Sequence, residues 1–108
     1  MPTYMLQASY TPESWAAQIS HPQNREDELR LRCAVGGIKV LCFYYAFGEY
    51  DVVVIVEAPD NVTAAALAMV VASGGALKAL KTTVLMTSQD GYMAMQQASG
   101  VTYNPPGS

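Results

Sequence analysis

Residues 43–60, FYYAFGEYDVVVIVEAPD, decide the fold. Two apolar runs, rich in β-branched and aromatic residues, flank Gly48-Glu49. Glycine at the first central position of a two-residue loop suits a type II′ turn, which joins antiparallel strands in register. This reading gives Gly48 a positive φ. Pro59-Asp60 ends the second run, because proline has no N–H to donate to a ladder. The stretch is therefore expected to be a hairpin, with strands over 38–47 and 50–58.

Upstream, Gly36-Gly37 stops a helical stretch expected over 23–35. Glu26 and Arg30, and likewise Glu28 and Arg32, stand four apart on its solvated side, with Leu29 and Cys33 as its inner stripe. His21-Pro22 separates it from a shorter helix, since the residue before proline avoids the α region. That shorter helix opens at Thr11-Pro12-Glu13, a capping hydroxyl, a proline at the first helical position and an acid in the first turn. Trp15 and Ile19, four apart on it, are expected to face inward together. Before it, PTYMLQASY over 2–10 alternates as a strand, with Tyr4, Leu6, Ala8 and Tyr10 on one face.

Downstream, Asp60 or Asn61 caps a helix expected over 62–73, closed by Gly74-Gly75. A fourth strand is expected within 77–87, followed by a short helix to Gln97 capped by Ser88 or Asp90. Residues 100–108, with Pro105-Pro106-Gly107, read as a tail. The domain is thus expected over 1–99. Its order, β-α-β-β-α-β, is that of a ferredoxin-like α+β fold, a four-stranded antiparallel sheet with helices on one face.

The strands of the hairpin are apolar on both faces. Leu41, Phe43, Tyr45 and Phe47 alternate with Cys42, Tyr44 and Ala46, and Val53 and Ile55 with Val52, Val54 and Val56. A sheet with one wet face alternates apolar with polar. The helices cover one face, so the other needs a second copy of the chain, and a homodimer or higher homo-oligomer is expected.

With 108 residues, a formal charge of −3 and no basic stripe, the chain excludes nucleic acid and anionic membrane surfaces as expected partners. No signal-peptide pattern opens it, and Cys33 and Cys42 sit inside regular elements rather than in a disulfide framework. Reduced thiols in a cytoplasmic protein are the expectation.

The hairpin stretch, together with Met1-Pro2-Thr3-Tyr4 and Gly36-Gly37, resembles the GYD-domain proteins, small prokaryotic proteins named for a Gly-Tyr-Asp motif. The resemblance runs from Pro2 to about Gln96. Here Glu49 separates Gly48 from Tyr50-Asp51. The resemblance implies a dimeric α+β barrel and supplies no chemistry and no cofactor.

The candidate site residues follow from chemistry alone. His21, the one histidine, could act as a general base or could stand solvated at its helix break. Asp51 and Glu57 share a strand face with Val53 and Ile55 between them. Desolvation there would make a proton acceptor of either; the structural alternative is that Asp51 ties down the turn and Glu57 closes the strand end. Tyr4, Trp15, Tyr44, Tyr45 and Tyr50 could line a pocket for a flat apolar ligand, or serve as core and interface. No ligand spacing supports a metal site. Two functions compete: a small apolar or aromatic ligand site between sheet and helices, with or without catalysis, and a non-catalytic oligomeric assembly or ligand-sensing module.

Overall fold

A computed structural model describes residues 1–107; Ser108, the last residue of the expected tail, lies outside the described residues. The elements are β1 (Thr3–Tyr10), α1 (Pro12–Ser20), α2 (Arg25–Val35), β2 (Lys39–Tyr45), β3 (Val52–Glu57), α3 (Asn61–Ser73), β4 (Leu77–Leu85) and α4 (Ser88–Ser99). All neighbouring strands are antiparallel, in the order β2-β3-β1-β4. This is the ferredoxin-like α+β arrangement. No helix among the described residues is long and apolar enough to cross a membrane.

Local chemistry accounts for the helix limits. Thr11 Oγ1 accepts from Ser14 N at 3.1 Å with Pro12 following, and Asn24 Oδ1 accepts from Asp27 N at 3.3 Å, so α2 starts two residues later than expected. Asp60 Oδ1 accepts from both the N–H and the hydroxyl of Thr63 at 2.8 Å. The backbone bond, then the hydroxyl bond, holds the Asp60 carboxyl below the usual carboxylate range. The cap of α4 is Thr87 and not Ser88 or Asp90. Thr87 is extended, and its hydroxyl accepts from Asp90 N at 3.0 Å, whereas Ser88 is already helical.

Opposed residues in an antiparallel pair share a face, so register assigns the two sides of the sheet. Tyr4, Leu6 and Ala8 of β1 stand opposite Val56, Val54 and Val52 of β3, and all are buried beneath the helices. Cys33 of α2 and Ala64 of α3 are buried against this layer. Desolvation raises the Cys33 thiol pKa above its ordinary value, and both cysteines are free.

Strand β2 departs from simple alternation. Val40 opposes Val56, but Cys42 opposes Ile55, leaving Leu41 as an extra residue in a β-bulge. The bulge puts Val40, Phe43 and Tyr45 on the helix side and Cys42 and Tyr44 on the other. Arg30 Nη1 donates to Val40 O at 2.6 Å, satisfying a carbonyl where the ladder is interrupted. Phe43 and Tyr45 therefore do not share a face with Val53 and Ile55. Parity within one strand carries no information about pairing register, and Phe43 and Tyr45 oppose Val54 and Val52 instead.

The hairpin connection is also corrected. It spans residues 46–51, closed by Ala46 N donating to Asp51 O at 2.8 Å. Gly48 does not have positive φ; the glycines that do are Gly37, Gly75 and Gly107. A loop of this length spreads the chain reversal over several residues and needs no left-handed position at Gly48. Ile19 likewise does not join Trp15 inside; it is 74% exposed.

Two substitutions separate these readings. Gly37 follows α2 at φ 75°, so Gly37→Ala should destabilise by about 1 kcal/mol or more. A methyl group added at Gly48 would meet no atom within 4 Å. Gly48→Ala should therefore stay within about 0.5 kcal/mol of the parent in urea denaturation.

Candidate functional site

Beneath α2 and α3 the core is incomplete. A cavity of about 540 Å³ lies between the helix-facing side of the sheet and these two helices. Its floor is Leu6, Ala8, Val52, Val54 and Phe43. Its roof is Leu29 of α2 with Leu67, Val70 and Val71 of α3. The opening follows from the side chains: α3 is built largely of alanine and valine, and Ala64 is its one buried residue, so this helix sends little volume down to the sheet.

The polar side chains of the lining come from the end of β1 and from along α2. Tyr10 closes β1, while Arg25, Glu28 and Arg32 come from α2. Glu28 and Arg32 are joined at 2.9 Å and neutralise each other. Burial, then the neighbouring Tyr45, raises the Tyr10 pKa above the ordinary phenol value; Arg25 pulls it the other way and Asp51 adds to the rise. The phenol is therefore protonated at neutral pH and able to donate. A second, more polar cavity of about 370 Å³ adjoins the first, sharing Tyr10, Arg25 and Ala76 with it and lined besides by Ser14, Gln18, His21 and Gln23 of α1 and the following turn.

The residues singled out from sequence occupy three places. The Tyr4 ring is in the core and its hydroxyl donates to Asn61 Oδ1 at 2.6 Å, linking β1 to the start of α3. Trp15 meets Tyr10 edge to face at 5.1 Å and lies 6.5 Å from Tyr45, which in turn meets Phe43 at 5.4 Å. These rings cluster where α1 crosses the end of the sheet. Tyr44 and Glu57 lie on the uncovered face, Tyr44 well exposed and Glu57 opposite both Thr3 and Lys39. Tyr50 is half-buried in the hairpin connection. His21 is exposed, follows α1 and reaches the smaller cavity; none of these residues lines the larger one.

Asp51 has a long-range role. Its Oδ2 accepts from Tyr10 N at 2.9 Å and from Trp15 Nε1 at 3.3 Å, while its own N–H donates to Ala8 O at 2.8 Å. Glu57 is at the far end of β3, six positions on, or roughly 20 Å along a strand, so the two carboxylates do not form a pair.

The chain belongs to the GYD-domain family. The family's model matches residues 4–95. No curated protein matches. One solved structure, described as "crystal structure of FFRP-DM1", is similar with a TM-score of 0.51 at 15% identity, covering 80% of this chain and 100% of that one. That likeness concerns the fold. In this GYD-domain protein the motif's aspartate, Asp51, pins together the hairpin, the first strand and the first helix.

Sequence reasoning missed Tyr10, Arg25 and the leucine lining. One signal was present: Arg30 and Arg32 each follow a glutamate by four, whereas the acid at helical spacing from Arg25 is Glu28, three after it, which stands four before Arg32 as well.

Removing the Asp51 carboxylate leaves Tyr10 N and Trp15 Nε1 without their acceptor. Asp51→Ala should cost about 2 kcal/mol, and Asp51→Asn, which keeps one acceptor oxygen, roughly half of that. Urea denaturation followed by Trp15 fluorescence reads both, and an Asp51→Ala midpoint equal to the parent's would refute the assignment.

Proposed function

We propose that this GYD-domain protein binds a small, largely apolar molecule in the cavity between its sheet and α2 and α3. The observation that carries the reading is the cavity itself. At about 540 Å³ it falls within the ordinary range for ligand sites, roughly 300–1,000 Å³, with largely apolar walls and a few polar groups from β1 and α2. Binding rather than catalysis is the better-supported activity. Of the lining side chains able to move a proton, Glu28 is engaged by Arg32, and Tyr10 is held in its protonated form.

The test uses the uncharged probe N-phenyl-1-naphthylamine, which fluoresces when it leaves water. The parent protein should bind it saturably. Leu67 half-buries its side chain in the roof, so Leu67→Trp should fill the cavity and remove at least nine-tenths of the signal while the protein stays folded by circular dichroism. Undiminished binding would place the probe elsewhere and sink the reading.

A second reading concerns assembly, and three observations support it. The uncovered sheet face carries Met5, Val53, Ile55, Cys42 and Tyr44. The chain exposes 7645 Å², whereas a compact monomer of 11.6 kDa exposes about 5,800 Å². Its radius of gyration, 17.5 Å, exceeds the ~13 Å of a compact domain of this length. The excess, about 1,800 Å² per chain, includes α4 and residues 100–107, which are exposed nearly throughout, and is more than one partner's share of a standard interface, ~800 Å². The occupant is a second copy, seated on the uncovered face. Sedimentation equilibrium at micromolar concentration should find a dimer or larger species, and Val53→Lys should unfold or aggregate the protein. A stable, folded species of 11.6 kDa would overturn this.

A further inference from the structure

We infer that the ligand of the cavity is an amphipathic organic acid, with its apolar body against Leu29, Leu67 and Phe43 and its carboxylate held at Arg25. The inference rests on the cavity being a binding site and adds the chemistry of the head group.

Arg25 is one of three residues, with Tyr10 and Ala76, on which the two cavities meet. Its position differs from that of the other two arginines of α2. Arg30 is joined to Glu26 at 2.8 Å and to Val40 O at 2.6 Å, and Arg32 to Glu28 at 2.9 Å. Among the described residues Arg25 has neither an ion pair nor a hydrogen bond from its guanidinium. Three acids of this region are already engaged, whereas Asp27, two residues on, carries no ion pair among the described residues. Asp51 Oδ2 accepts from Tyr10 N and Trp15 Nε1, Glu28 from Arg32, and Glu26 from Arg30.

The smaller cavity has the composition of a head-group site. Its lining contains no acid; it offers the Ser14 hydroxyl, the Gln18 and Gln23 amides, the His21 imidazole and the Arg25 guanidinium. The protonated Tyr10 phenol stands at the junction, with Arg25 on the same two linings. A guanidinium and a phenol can together donate to both oxygens of a carboxylate. The larger cavity then buries the chain or ring attached to it. An uncharged ligand would draw no charge-assisted bond from Arg25, and a fully polar one would leave the apolar walls unfilled. Both demands are met by one molecule with an apolar body and one anionic end.

The experiment separates head group from body. Decanoate and 1-decanol share one chain and differ in charge, and each is titrated against bound N-phenyl-1-naphthylamine. Both should displace it from the parent. In Arg25→Met, which keeps an apolar stem at the exposed first turn of α2, decanoate affinity should fall about tenfold while decanol changes by less than about twofold. Arg25→Lys, which keeps the charge, should recover most of the loss. Retained decanol binding reports that the variant is folded. A decanoate loss of less than about threefold, or an equal loss for decanol, overturns the inference while the cavity reading stands. Failure of the uncharged probe and of decanol to bind the parent overturns the cavity reading itself.

Discussion

A four-stranded sheet has two faces, and this chain lays helices over one of them. Everything else in the structure answers to that constraint. On the covered side, Tyr4, Leu6 and Ala8 interleave with Val52, Val54 and Val56 into a continuous buried layer. On the other, Met5, Val53 and Ile55 stand at the centre of the sheet and are only half-buried. Apolar side chains in the middle of a sheet are stable against water only when something covers them, and burial is worth about 25 cal/mol per Å². The same imbalance recurs in α3, where Val62 and Met69 face solvent although the helix is apolar nearly all round.

Within the covered layer, the end near α1 is held by polar bonds and the middle by packing alone. Asp51 joins the hairpin connection to two groups distant from it in sequence, the last residue of β1 and the ring nitrogen of Trp15. The bond from Ser9 Oγ to Glu49 O at 3.1 Å fixes the same loop to the same strand. Buried polar groups cost little when paired and much when not, so these bonds locate α1 more sharply than its one large ring could. Toward α2, Arg30 performs a comparable task at the bulge, where it answers a carbonyl that the ladder does not use.

The cavity arises where neither device operates. Alanines and valines of α3 stop short of the sheet, and the floor beneath them is made largely of small side chains as well. Close packing is the norm in protein interiors, and a void of this size forfeits dispersion contacts along its whole lining. A fold that retains one beside an arginine without a partner has the geometry of a receptor for something outside the chain.

Element order, the starts of α1 and α3 and the two-sided apolar character of the hairpin were legible in the chain before any folding. These are local properties: a capping oxygen within three residues, a proline without an N–H, a period of two in the side chains. The i, i+4 ion pairs of α2 and the burial of Cys33 could be read for the same reason. Features that depend on remote segments could not. The bulge at Leu41 settled which face of β2 turns inward, because register is a property of two strands and not of one. The connection over 46–51 removed the need for a left-handed Gly48. Asp51 took up its acceptor role 41 residues from Tyr10, and the cavity formed from side chains too short to meet across two layers. No window of sequence contains such facts, since each is set by what two distant segments leave between them.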